Sequence, residues 1–135
     1  MAAQQLIEAE MAKHGLGDWR FRWGSTRHRI GCCRWWQKTI EISLPFVLVA
    51  DAAEVLDTVL HEIAHALVKN EAVAGQGELG LIGLRAHGPE WRAMACKLGA
   101  RPRACTDHWI PIARPIPRRR LPDARQGWFG FMEGK

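Results

Sequence analysis

His61, Glu62 and His65 form an H-E-x-x-H pattern, within His61-Glu62-Ile63-Ala64-His65. If this run is helical, residues four apart lie on one face, one turn above the other. Two imidazoles so placed address one point in space at a separation that suits a zinc ion. Glu62 follows the first ligand directly, so it points beside the metal and not at it. That is where a general base must stand to take a proton from a water at the ion.

The setting must supply that helix. Residues 52–69 read AAEVLDTVLHEIAHALVK, without Gly or Pro, and Asp51 is placed to cap the first turn. Leu56, Leu60, Ile63 and Leu67 are expected to form the apolar stripe, with the histidines on its flank. The competing reading is a core helix with two hydrogen-bonded histidines and a surface glutamate. It leaves a carboxylate between two imidazoles without a purpose, and burial of an unpartnered carboxylate is costly.

A structural zinc site closes with four protein ligands, whereas a catalytic one uses three and leaves room for water. Of the other histidines, His14, His28, His87 and His108, the best third ligand is His87. It precedes Gly88-Pro89, and Pro suits the first turn of a helix. Trp91, Met94, Ala95 and Leu98 then give an apolar face, and Gly99 is placed as the C-cap. Glu71, Glu78 and Glu90 are the competing third ligands. A metzincin-type extension is disfavoured, because Val68 and Glu71 stand where Gly and His would be needed.

Upstream, residues 2–14 read as a helix with Leu6, Ile7 and Met11 inward and Gly15 as its stop. Residues 18–24 alternate, with Trp19, Phe21 and Trp23 on one face and Arg20 and Arg22 on the other, the mark of a half-buried strand. Residues 29–36 and 38–43 read as two more strands, so a three-stranded antiparallel sheet is expected. Trp35 and Trp36, adjacent on such a strand, would face opposite ways. The glycine-bearing segment 70–86 reads as a loop between the His61/His65 helix and His87.

H-E-x-x-H followed some twenty residues later by His87-Gly88-Pro89-x-Trp91 resembles the SprT-like zinc metallopeptidase domain, the family that includes Spartan. Phe21-Arg22-Trp23-Gly24, Arg29-Ile30-Gly31-Cys32-Cys33 and Thr39-Ile40-Glu41-Ile42-Ser43 resemble that family's strand region. The resemblance covers roughly residues 2–100. It implies an α+β, zincin-like domain with one zinc ion on His61, His65 and His87 and with Glu62 as catalytic base. It also implies hydrolysis of proteins attached to DNA. Many members carry a zinc ribbon with two C-x-x-C pairs after this domain. Here the four cysteines, Cys32, Cys33, Cys96 and Cys105, form no C-x-x-C, so a second zinc site is not expected.

Composition fits one intracellular domain over residues 1–100 with a basic extension over 101–135. No run of eighteen apolar residues is present and the N-terminus has no apolar h-region, so neither a membrane span nor a signal peptide is expected. The four cysteines read as reduced thiols, as in the cytoplasm. Residues 1–100 hold 11 Lys+Arg and 11 Asp+Glu, whereas residues 101–135 hold 8 and 3. The formal excess of +5 therefore lies entirely in the last 35 residues. That stretch carries Pro102, Pro111, Pro115, Pro117 and Pro122 around Arg118-Arg119-Arg120, and reads as an extended arm. Its cations and tryptophans suit contact with single-stranded DNA, as in a nucleoid-associated protein; Arg27 and Arg29 are further candidates for backbone contact. A docked tail without a ligand is the alternative. Three functions stay open: a zinc peptidase acting on DNA-bound proteins, a zinc peptidase with another protein substrate, or a non-enzymatic zinc module that binds DNA or protein.

Overall fold

The computed structural model describes residues 2–102. Helix α1 spans Ala2–Lys13 and buries Ala3, Ile7 and Met11, a stripe at successive spacings of four. Leu6, expected inward, lies off that stripe and is 44% exposed. Past the helix end, Gly15 adopts φ 87, a left-handed conformation that glycine reaches without steric cost, and the Leu16 amide bonds back to the Met11 carbonyl at 2.8 Å.

Three strands follow: β1 (Arg20–Gly24), β2 (Gly31–Arg34) and β3 (Thr39–Ser43). Their spatial order is β1-β3-β2. β2 and β3 pair antiparallel, with Cys33 opposite Ile40, but β1 and β3 run parallel, with Phe21 opposite Ile40. The sheet is therefore mixed, which corrects the antiparallel expectation. The cause is the connection 25–30: it carries the chain past the place that β3 later fills, so β3 enters between the two earlier strands. β3 is accordingly the most covered strand, with Ile40 and Ile42 fully buried.

The second and third strands are shorter than the sequence suggests. Trp35–Gln37 form a 3₁₀ turn, and Lys38 takes φ 51 to turn the chain into β3. Trp35 and Trp36 thus belong to a turn and not to a strand. Trp35 donates from its indole to the Asn70 side chain at 2.9 Å, while Trp36 points outward.

Helix α2 (Leu44–Val49) was not anticipated. Ser43 caps it, accepting from the Phe46 amide at 3.2 Å, and Pro45 sits in its first turn.

Helix α3 (Ala52–Val73) begins as expected, with Asp51 Oδ1 accepting from the Glu54 amide at 2.8 Å. It runs four residues past Lys69, because Asn70–Val73 contain no breaker; the first left-handed glycine is Gly75. Its buried face holds Val55, Val59, Leu60, Ile63 and Ala66, so the stripe is rotated from the one expected. Leu56 is 44% exposed and Leu67 only half-buried. The rotation brings His61 and Glu62 into the buried arc.

The segment 70–86 is thus not wholly loop: it includes the end of α3 and a 3₁₀ turn at Gly77–Leu81 packed on α3. Gly80 is needed there, since a Cβ at that position would overlap the Ala72 carbonyl. Helix α4 (Pro89–Leu98) starts with Pro89 at N1 and ends at Gly99, φ 92, as the sequence indicates. α3 packs against α4, β2 and β3. The fully buried Ile63 and Trp91 lie at the core of this packing, each contributing about 1.5–3 kcal/mol through apolar burial. Arg101 then ties the chain back to α3, its amide donating to Asp57 Oδ1 at 2.9 Å and its guanidinium to Oδ2. The expected arm lies, from residue 103 onward, outside the described residues. No helix among those described is long and apolar enough to cross a membrane.

Candidate metal centre

α3 presents His61 and His65 one turn apart, with ring centroids 5.0 Å from each other. His87 arrives from the segment before α4. Its Nε2 lies 3.2 Å from His61 Nε2 and 3.1 Å from His65 Nε2. Nitrogen lone pairs turned toward one another at this range repel unless a proton or a cation sits between them. The three histidines lie close enough to hold a metal ion, and among the described residues theirs is the one His/Cys/Asp/Glu cluster that does. The competing ligands do not join it. Glu71 and Glu90 line a different cavity, and Glu78 is exposed on the 3₁₀ turn. His14 sits beside Glu10 and His28 is exposed; His108 lies outside the described residues.

Trp91 holds the trio together, a role that sequence reading assigned only to the core. Its ring lies 4.6 Å from His61, stacks on His65 at 5.4 Å, and meets His87 edge-on at 4.8 Å. Its indole N–H donates to the His61 carbonyl at 3.2 Å, which pins α4 to α3 at the level of the site. No local signal marks this role, because His87 lies before α4 and the helical four-residue rule does not reach it.

Burial governs the charge state of these groups. It lowers the pKa of His61 to about 4, with the neighbouring His87 adding to the effect and Asp57 opposing it. It lowers His65 to about 3, helped by His61, His87 and Lys69. Burial also lowers His87, with Arg92 contributing. All three are therefore neutral near pH 7, the form in which imidazole binds metals.

Glu62 is 4% exposed, and burial raises its carboxyl to about 8, with Arg29 acting in the opposite sense. It lies against β2 at Gly31. A Cβ on Gly31 would sit 2.9 Å from Glu62 Oε2 and 3.2 Å from Thr58 Cγ2. The absence of a side chain at position 31 is what leaves room for the carboxyl group. Nothing in the local sequence signals this, because the contact depends on how α3 docks on β2.

These groups line a cleft of about 420 Å3 between β2, α3 and residues 84–87. Cys33 lies on its wall, where burial, with Glu62 adding, pushes the thiol up to about 12 and so keeps it protonated. Cys32, Cys33 and Cys96 are all free thiols. Of the arginines proposed for nucleic-acid contact, Arg29 is exposed at the cleft rim, its guanidinium 3.2 Å from Cys32 Sγ. Arg27 is exposed on the β1–β2 connection and does not line the cleft. Arg118, Arg119 and Arg120 lie outside the described residues.

No curated protein and no solved structure gives a significant match. The model of the SprT-like family matches residues 2–109. That match takes in every strand and helix described above, and the chain belongs to the SprT-like family.

Proposed function

We propose that the protein is a zinc-dependent metallopeptidase that hydrolyses peptide bonds, with His61, His65 and His87 as the zinc ligands. The convergence of the three imidazoles beside a buried carboxylate carries this reading. Zinc–nitrogen bonds of about 2.0–2.1 Å at tetrahedral angles separate ligand atoms by about 3.3 Å. Two of the three spacings, 3.1 and 3.2 Å, lie near that value, and all three ligand nitrogens lie within 4.8 Å of one another. With three protein ligands, a bound zinc would keep room for water or substrate, as catalytic sites do. When bound, zinc polarises a carbonyl oxygen and acidifies a water.

Glu62 is the general base. A dication nearby favours its ionised form and counters the rise caused by burial. The carboxylate accepts the proton of the attacking water, and the same carboxyl then gives it to the leaving amine. Gly31 lets it stand there, and Trp91 fixes the histidines that define the centre. A purely structural site gives Glu62 no role, which argues against the non-enzymatic module.

The test is metal analysis of the purified protein together with hydrolysis of an unstructured protein, with and without single-stranded DNA. One zinc per chain with hydrolysis lost on chelation supports the reading. A protein that takes up no metal ends it. Action on DNA-bound proteins, with Arg118–Arg120 supplying phosphate contacts, is the finer proposal. Removal of residues 103–135 should then weaken single-stranded DNA binding and flatten its salt dependence. An unchanged binding curve would reject that role for the arm.

A further inference from the structure

The cleft walls carry a charge pattern that hydrolysis itself does not require. Arg29, Lys69 and Arg85 line the cleft, and Glu62 is the one carboxylate among its lining side chains. Four other cations are matched: Arg22 and Arg34 both meet Glu41, Lys38 meets Asp18, and Arg101 meets Asp57. The three cleft cations have no ion-pair partner among the described residues. Lys13, Arg20, Arg27, Arg92 and Lys97 have none there either, but they do not line the cleft. Residues 1–100 balance to zero formal charge, so the local excess does not reflect a basic domain.

The cations come from three separate segments. Arg29 precedes β2, Lys69 lies one turn beyond His65 on α3, and Arg85 stands two residues before His87. Their common neighbour is the imidazole trio. Like charges gathered along a concave wall focus an attractive field on whatever enters. Phosphates would feel that field too. Nucleic-acid grooves, however, add aromatic rings on which bases stack. The lining here has no Trp or Phe, and the exposed Trp36 is not part of it. The walls are instead small or aliphatic between the cations, with Val68, Leu84 and Ala86, which suits an extended peptide.

We infer that the cleft selects polypeptide segments bearing carboxylate side chains beside the bond to be cut, recognised by Arg29, Lys69 and Arg85. This rests on the hydrolytic reading for the word "cut", but recognition is measurable without it. One exposed ion pair changes an affinity roughly 1.5- to 5-fold. Together, the three cations should favour a Glu-containing peptide about tenfold over its Gln counterpart at low salt. The preference should shrink as ionic strength rises.

The experiment uses the full chain loaded with zinc and peptides identical except for Glu, Gln or Lys flanking a central apolar pair. Fluorescence anisotropy measures binding to wild type and to Glu62→Gln, and product release measures kcat/KM with wild type. The expected result is about tenfold tighter binding and faster cleavage of the Glu peptide. In a Lys69→Gln/Arg85→Glu variant the preference should vanish or pass to the Lys peptide, with zinc content unchanged. Selective binding of the Glu peptide without cleavage would sink the hydrolytic reading and leave the recognition standing. Equal cleavage of Glu and Gln peptides would overturn the recognition and leave hydrolysis standing. It would also be overturned if the variant lost affinity for a single-stranded oligonucleotide while its peptide discrimination stayed as in wild type.

Discussion

Val68 and Leu84 form a wall with a cavity on either side, and the two cavities differ in every respect that matters for chemistry. On one side is the cleft of about 420 Å3, with three imidazoles, a buried carboxylate and three cations. On the other is a groove of about 560 Å3, with Glu71, Glu90, Lys97 and the exposed Ile82. The groove is larger and carries more carboxylates, yet Glu71 and Glu90 are exposed and keep their water. Glu62 has lost its water, and its proton affinity has changed as a result. Volume does not set the two apart; convergence and desolvation do.

The sharpest way to break this contrast is a pair of isosteric changes. Glu62→Gln should lower peptide hydrolysis by roughly 10²–10⁴-fold while zinc content holds. Glu90→Gln, across the wall, should leave both unchanged. Equal activity of Glu62→Gln and wild type would remove Glu62 as the base.

The next effect concerns the metal-free protein. Glu62 titrates at about 8 when folded against 4.5 in its ordinary state, so between those values the folded chain holds a proton that the unfolded chain releases. Stability must then fall with rising pH over that window. His61 and His65, lowered to about 4 and 3 from 6.5, act the other way: protonation favours the unfolded chain, and stability rises up to about pH 6.5. Metal-free Glu62→Gln should therefore outlast metal-free wild type in urea by a few kcal/mol at pH 8. The gap should close toward pH 4.5. A gap independent of pH would show that Glu62 is not desolvated.

Two glycines sharpen the comparison further. Gly31→Ala presses on the buried Glu62 at Oε2 and Cγ and on Thr58 Cγ2, so kcat should drop about tenfold with zinc content held and a smaller loss of urea midpoint than at Gly80. Gly80→Ala presses on the Ala72 backbone, which cannot shift. It should lower the urea midpoint, while the folded fraction keeps its kcat. A stability loss in the first variant matching that in the second would contradict the distinction. The smallest effect belongs to Trp91→Phe. It keeps a ring beside the histidines but loses the bond to the His61 carbonyl, about 1 kcal/mol, and should weaken zinc binding about fivefold in a chelator competition.

The sequence disclosed the parts that rest on local physics. Asp51, Pro89 and Gly99 punctuate α3 and α4 whatever surrounds them, and the spacing of His61 and His65 has meaning on any helix. The association of His87 with that pair was also legible, because few residue types bind metals and its helix start gave it a place. Strand direction was not: nothing within residues 18–43 distinguishes a meander from an inserted central strand. Leucine spacing alone misplaces the face of α3, since Val55, Val59 and Ala66 fill the core as well as leucines do. α2 was overlooked although Ser43 and Pro45 announce it, because the apolar run after them is only one turn and a half long. Gly31, Trp91 and the cleft cations acquire their roles only when distant segments meet.

The insertion of β3 between β1 and β2 bears on how the molecule assembles. The β2–β3 ribbon closes over the few residues around Lys38, while the β1–β3 ladder must enclose the 25–30 connection, β2 and that turn. Loop entropy makes the first closure the easier one. The β2–β3 ribbon should gain order ahead of the β1–β3 ladder, and pulse-labelled amide exchange should protect Cys32 and Glu41, the next hydrogen-bonded pair after Ser43–Ile30, sooner than Arg22.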